Sequence, residues 1–144
     1  MAAPVLAGIR LRAGKAGSGR GAASMVTEAI NTAKAAGAKN ILVRGDSAYG
    51  NGKVITAVRK AGARFSLTLT KAPSVNRAIG LIDEDAWTPV HYPGEVIDPD
   101  TGALISDAEV AEIEYTAFKG SSEEITARLV VRKPPPGPRP EPSR

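Results

Sequence analysis

Between Ile41 and Thr70 the chain alternates two hydrophobic periods, and that alternation limits the possible folds more than any other feature. Ile41 to Arg44 is a short, apolar, β-rich run closed by Gly45, which reads as a buried strand. From about Lys53 to Ala61 the apolar residues Val54, Ile55, Val58 and Ala61 fall on one helical face, and Gly62 supplies the stop. Arg64 to Thr70 then alternates Phe65, Leu67 and Leu69 against Ser66, Thr68 and Thr70, as a half-buried strand does. Strand, helix and strand in succession imply parallel pairing through a right-handed crossover.

The upstream residues extend the pattern. Pro4 to Arg12 reads as a strand, with Ile9 and Leu11 alternating against Arg10 and Arg12. Ala13 to Gly21 is a Gly-rich loop carrying Lys15 and Arg20, open enough to approach a phosphate but lacking the G-K-S or G-K-T that closes a P-loop. Ala22 to Ala36 is an amphipathic helix with Met25, Val26, Ala29, Ile30 and Ala33 on one face and Gly37 as its stop. The first half is therefore β-α-β-α-β, an α/β arrangement. After Lys71 the composition changes: a short helix capped by Ser74, an acidic stretch D-E-D-A-W-T-P-V, a hairpin turn at Asp98 to Gly102, and strands at Val110 to Phe118 and Ile125 to Val131. Trp87 is the expected anchor of this segment. The end, from Lys133, is proline-rich and reads as disordered. The expected division is 1–72, 73–132 and 133–144.

This layout places one carboxylate where chemistry is possible. Asp46 follows the strand Ile41 to Arg44 within G-D-S-A-Y-G, and the carboxyl ends of strands in open α/β sheets form the crevice where ligands and metals bind. The bland reading of Asp46 is an Asx turn, with its carboxylate accepting a nearby backbone N–H. Arg44 precedes it by two residues and shares its face, so it can pair with Asp46 or touch a phosphate. Tyr49 reads as packing over the turn, and Ser47 as its polar neighbour.

Composition narrows the chemistry. The sequence has no cysteine and one histidine, His91, which excludes disulfides, thiolate catalysis and sulfur-bound zinc. His91 has no nucleophile or carboxylate partner at a diagnostic spacing and reads as a surface residue. A metal would be held by carboxylates, which favours Mg²⁺ or Mn²⁺. No apolar run reaches the length of a membrane span and no secretory signal is evident, so a cytoplasmic location is the expectation.

Charge is distributed unevenly. Residues 1–80 hold thirteen Lys and Arg against two acids, Glu28 and Asp46, whereas the remaining 64 hold six against thirteen Asp and Glu. A basic half around a nearly solitary acid suggests a polyanion surface. The candidate phosphate contacts are Lys15, Arg20, Arg44, Lys53, Arg59, Lys60 and Arg64.

The run R-G-D-S-A-Y-G followed by V-I-T-A-V-R-K-A-G-A-R-F-S-L-T resembles the DDE transposases of bacterial insertion sequences, of the group 1 type. So do L-R-A-G-K-A-G-S-G-R-G-A upstream, and E-D-A-W-T-P-V and I-S-D-A-E-V-A-E-I-E-Y-T-A-F downstream. The resemblance covers about residues 5–132. It implies a ribonuclease H-like core with a β-rich insertion, DNA as the partner (transposon ends and target), and Asp46 as the second acid of a DDE triad. In that family three carboxylates hold two divalent ions for phosphodiester cleavage and strand transfer, because one carboxylate cannot position two cations roughly 4 Å apart.

The sequence also departs from that pattern. The first acid belongs on an opening strand, whereas this chain begins on what reads as the third. The final glutamate belongs on a helix after the insertion, and Glu123 and Glu124 fit a strand-flanking loop instead, as solvated turn residues. The expectation is an internal fragment of a transposase catalytic domain, inactive alone, that self-associates or is complemented by the parts of the domain it lacks. The alternative is a non-catalytic nucleic-acid-binding module or transposon remnant.

Overall fold

A computed structural model describes residues 5–11, 13–15, 17, 19–90 and 108–133. Its elements run α1 (Ala22–Ala35), β1 (Leu42–Gly45), α2 (Gly52–Lys60), β2 (Arg64–Leu67), α3 (Pro73–Ile79), a 3₁₀ turn (Glu84–Ala86), β3 (Thr88–Val90), β4 (Ala108–Ala117) and β5 (Ile125–Lys133). The chain is mixed α/β, and its contacts divide it into two units: Met1–Lys71 with Ala117–Ile125, and Ala72–Thr116 with Thr126–Arg144. No helix among the described residues is long and apolar enough to cross a membrane. His91, the turn at 98–102 and the tail at 134–144 lie outside the described residues.

In the first unit β1 and β2 pair in parallel, with Leu42 beside Arg64, Val43 beside Phe65, Arg44 beside Ser66 and Gly45 beside Leu67. The ladder is flanked by Arg64 N–H to the Ile41 carbonyl (2.9 Å) and Thr68 N–H to the Gly45 carbonyl (3.2 Å). β1 ends at Gly45 and the ladder ends with it at Leu67, so β2 stops short of the expected Thr70. Alternation puts Val43, Phe65 and Leu67 on one face, where they pack with Ile30, Val54 and Val58 of the two helices. Val58 is fully buried and Ile30 is 2% exposed. The other face carries Leu42, Arg44, Arg64 and Ser66 and is exposed.

The helices stop where their chemistry dictates. At the end of α2, Lys34 of α1 reaches across to donate its Nζ to the Ala61 carbonyl at 2.6 Å, a cation on a carbonyl left orphaned by the helix end. Gly62 and Gly37 follow the two helices with φ of 68° and 92°, the left-handed conformation that favours glycine.

The expected strand at Pro4 to Arg12 does not form in the described residues 5–11. Val5, Leu6, Ile9 and Leu11 are 91%, 75%, 80% and 96% exposed. Alternation supplies a face but not a ladder, and among the described residues no strand pairs with this segment. What fixes the segment is Arg10, whose guanidinium donates to Ser24 Oγ and Glu28 Oε1, each at 2.7 Å. The unit is thus α-β-α-β, a part of the expected β-α-β-α-β.

In the second unit β3 and β4 are antiparallel, with Thr88 beside Val110 and Val90 beside Ala108, and β5 pairs on the other side of β4. Its buried side chains are Val75, Ile82, Ala108 and Ala111. The expected cap on α3 is corrected. Pro73 occupies the first helical position and Ala72 the cap, with no side-chain cap bond, because the fixed φ of proline suits that first position. Ser74 instead accepts the Tyr115 hydroxyl at 3.1 Å. Trp87 is half-buried beneath Lys133, whose Nζ lies 4.0 Å from the ring centroid and 3.2 Å from Glu109.

Candidate functional site

The carboxyl end of β1 and the start of α2 are joined by a turn built from close backbone contacts. The Tyr49 N–H donates to the Asp46 carbonyl at 3.1 Å, and the Asn51 N–H to the Tyr49 carbonyl at 2.8 Å. Asn51 caps α2 by accepting the Val54 N–H on Oδ1 at 3.1 Å, satisfying a donor that the first helical turn leaves free. Gly50 presses on the backbone just past β2 so closely that a β-carbon there would run into the Thr68 carbonyl oxygen. A β-carbon on Gly45 would meet Leu67 at 3.0 Å and Tyr49 at 3.3 Å. Tyr49 is thereby packed under the turn and joins the core.

Asp46 sits at the top of this turn and is exposed. Its Oδ1 accepts the Ala48 N–H at 2.9 Å, which is the Asx turn. Among the described residues its Oδ2 has no partner. The turn fixes the carboxylate and leaves one oxygen toward solvent. Arg44 is exposed on the preceding strand, and among the described residues it forms no ion pair with Asp46. The other acid of the basic half, Glu28, is paired with Arg10 at 2.7 Å.

The Gly-rich loop approaches the same turn. A β-carbon on Gly19 would lie 2.9 Å from the Ala48 carbonyl oxygen and 3.7 Å from the Asn51 side chain. Gly19 therefore seats against the turn that holds Asp46, with Arg20 exposed beside it; Lys15, earlier in the same stretch, is also exposed. Ser47 is exposed beside it. Lys53, Arg59 and Lys60 are exposed on α2. Lys53 and Lys60, seven residues apart, share a helical face, and Arg59 lies off that stripe.

Glu123 departs from the expectation of a solvated turn residue. The turn between β4 and β5 opens with Phe118 at φ 54°, and Gly120 N–H donates to Glu124 Oε2 at 2.6 Å. Glu124 is exposed and bound within its own turn, whereas Glu123 is half-buried. A β-carbon on Gly52 would meet Glu123 Cβ at 2.6 Å and Glu123 Oε2 at 3.2 Å. This carboxylate reaches the first turn of α2 from a distant stretch of sequence, and no local pattern announces the contact.

Among the described residues no three of His, Cys, Asp and Glu cluster as a metal group. Asp46 alone supplies a hard oxygen donor of the kind Mg²⁺ or Mn²⁺ takes, and a single carboxylate does not fit a two-ion centre.

No curated protein and no solved structure matches the chain. The model of a protein family described as transposase DDE domain group 1 matches residues 4–137. That match spans the Gly-rich loop, the Asp46 turn and the β-strands of the second unit, and on it the chain belongs to the group 1 transposase DDE domain family.

Proposed function

We propose that this chain is part of a DDE transposase catalytic domain, acting in cleavage and strand transfer of DNA, and that Asp46 is the second carboxylate of its triad. The observation that carries the reading is the position of Asp46: exposed at the carboxyl end of a parallel strand, fixed by the Ala48 N–H, with one oxygen left for a cation. DDE transposases work with divalent metal ions, and Mg²⁺ or Mn²⁺ is the expected ion. We assign neither the first aspartate nor the final glutamate to any residue here, so no catalytic step is complete on these residues alone. The partners are DNA and the carboxylates that complete the centre, supplied by further sequence or by association. The cytoplasm is the fitting location.

The basic residues of the first unit support DNA as the partner: Lys15, Arg20 beside the Gly19 contact with the Asp46 turn, Arg44 on β1, and Lys53, Arg59 and Lys60 on α2. A second reading, a non-catalytic nucleic-acid-binding module, is favoured by the absence of a carboxylate cluster among the described residues. Both readings require DNA affinity that falls as salt rises. Fluorescence anisotropy of labelled duplex DNA across a salt series tests it. Asp46→Asn should bind DNA at least as tightly as the wild type, because the carboxylate serves a cation and repels phosphate. Undetectable binding at low ionic strength would overturn both readings.

A further inference from the structure

The outer face of α2 and the turn between β4 and β5 enclose an open groove of about 370 Å³, lined by Lys53, Thr56, Ala57, Lys60, Ser122 and Glu123. We propose that this groove is a DNA-backbone site, with Lys53 and Lys60 each neutralising a phosphate, Thr56 and Ser122 offering hydroxyl donors, and Glu123 limiting the affinity. The proposal rests on the transposase reading and adds a place and a discriminating residue to it.

The spacing supports a linear polyanion. Lys53, Thr56, Ala57 and Lys60 recur at the intervals that form one stripe of a helix, so both ammonium groups rise from the same wall of the groove. Seven residues separate the two lysines by about 10 Å along the helix axis, enough to engage different phosphates of one strand. Ala57 between them keeps the floor low.

Charge supports it as well. Lys53 and Lys60 are exposed, and among the described residues neither has an ion-pair partner. An ion pair would have to be broken before a phosphate could bind, and none is present. Glu123 lies at the Gly52 end of the groove, where its stem fits because Gly52 has no β-carbon. A carboxylate near a helix N-terminus is favourable for the fold. At the same point it repels an approaching phosphate, which keeps attachment to DNA weak and reversible.

The test is the salt dependence of duplex DNA affinity for the full chain and five variants, each checked for an unchanged thermal melt. Lys53→Ala and Lys60→Ala should each weaken binding roughly tenfold at about 50 mM salt and lower the slope of log K against log salt by about 1. The double variant with arginine at both positions should restore the slope, since arginine also binds phosphate. Glu123→Gln should tighten binding severalfold. Lys39→Ala removes an equal charge from a lysine outside the groove and should have a smaller effect. Equal effects of Lys39→Ala and the groove variants, no restoration by arginine, or no tightening by Glu123→Gln would overturn the groove and leave the transposase reading standing. Loss of all wild-type DNA binding would instead remove that reading.

Discussion

The β-carbon of Glu123 stands 2.6 Å from the point a β-carbon on Gly52 would occupy. Gly52 is buried, and the contact brings a residue from the turn after β4 against the first residue of α2. Replacing Gly52 by alanine ordinarily favours a helix by up to about 1 kcal/mol. Here overpacking, which typically costs about 1–3 kcal/mol, outweighs that gain, because the clashing atom is a stem carbon and not the tip of a flexible chain. Gly52→Ala is expected to lower the midpoint of chemical denaturation, and Glu123→Gly to restore it in the double variant. Gly14→Ala, with nothing within 4 Å, serves as the neutral control.

Gly50 has no such escape. A β-carbon there meets the backbone of Thr68, and neither the turn nor β2 can move without breaking the Thr68 N–H bond to Gly45. Gly50→Ala is expected to cost about 3 kcal/mol or more, read as loss of the cooperative melt of the first unit. A melt within a degree of the wild type would refute the close approach.

Asn51 is the one side chain that caps α2. Asn51→Ala should destabilise by about 1 kcal/mol, whereas Asn51→Asp should keep the cap and interact favourably with the helix N-terminus. Urea denaturation of the pair separates the cap from mere loss of side-chain bulk: equal destabilisation by both would contradict it.

Val58 is fully buried between helix and sheet. Val58→Ala removes two carbons and leaves part of their volume empty, for an expected loss of about 2 kcal/mol. Ile30→Val, which removes one carbon from a site 2% exposed, should cost about 1 kcal/mol. Denaturation curves that rank the two in the opposite order would place the centre of the core elsewhere.

What could be read from sequence follows from how local each signal is. The parallel pairing of β1 and β2 was legible because period-2 and helical patterns alternate between Ile41 and Leu67, and the position of Asp46 followed from Gly45 closing the strand. Ile9 to Arg12 carries an alternation too, yet the described residues 5–11 form no strand, since a strand also needs a backbone partner that alternation does not specify. Ser74 has the residue type of a cap, but Pro73 sets the helix start two residues earlier, with Ala72 in the cap position. The Glu123 contact with Gly52 and the seating of Gly19 against Ala48 depend on tertiary approach, and glycine in a sequence marks such approach without naming its partner.

Asp46 as the single triad carboxylate of these residues is tested most directly by DNA nicking. Supercoiled plasmid is incubated with the purified chain and Mn²⁺ or Mg²⁺, and the nicked form is compared with that produced by Asp46→Asn. The proposed reading assigns only Asp46 to the triad and therefore predicts no metal-dependent nicking by either protein, because one carboxylate cannot hold two catalytic cations. Metal-dependent nicking by the wild type that Asp46→Asn abolishes would contradict it, since these residues would then complete the centre themselves.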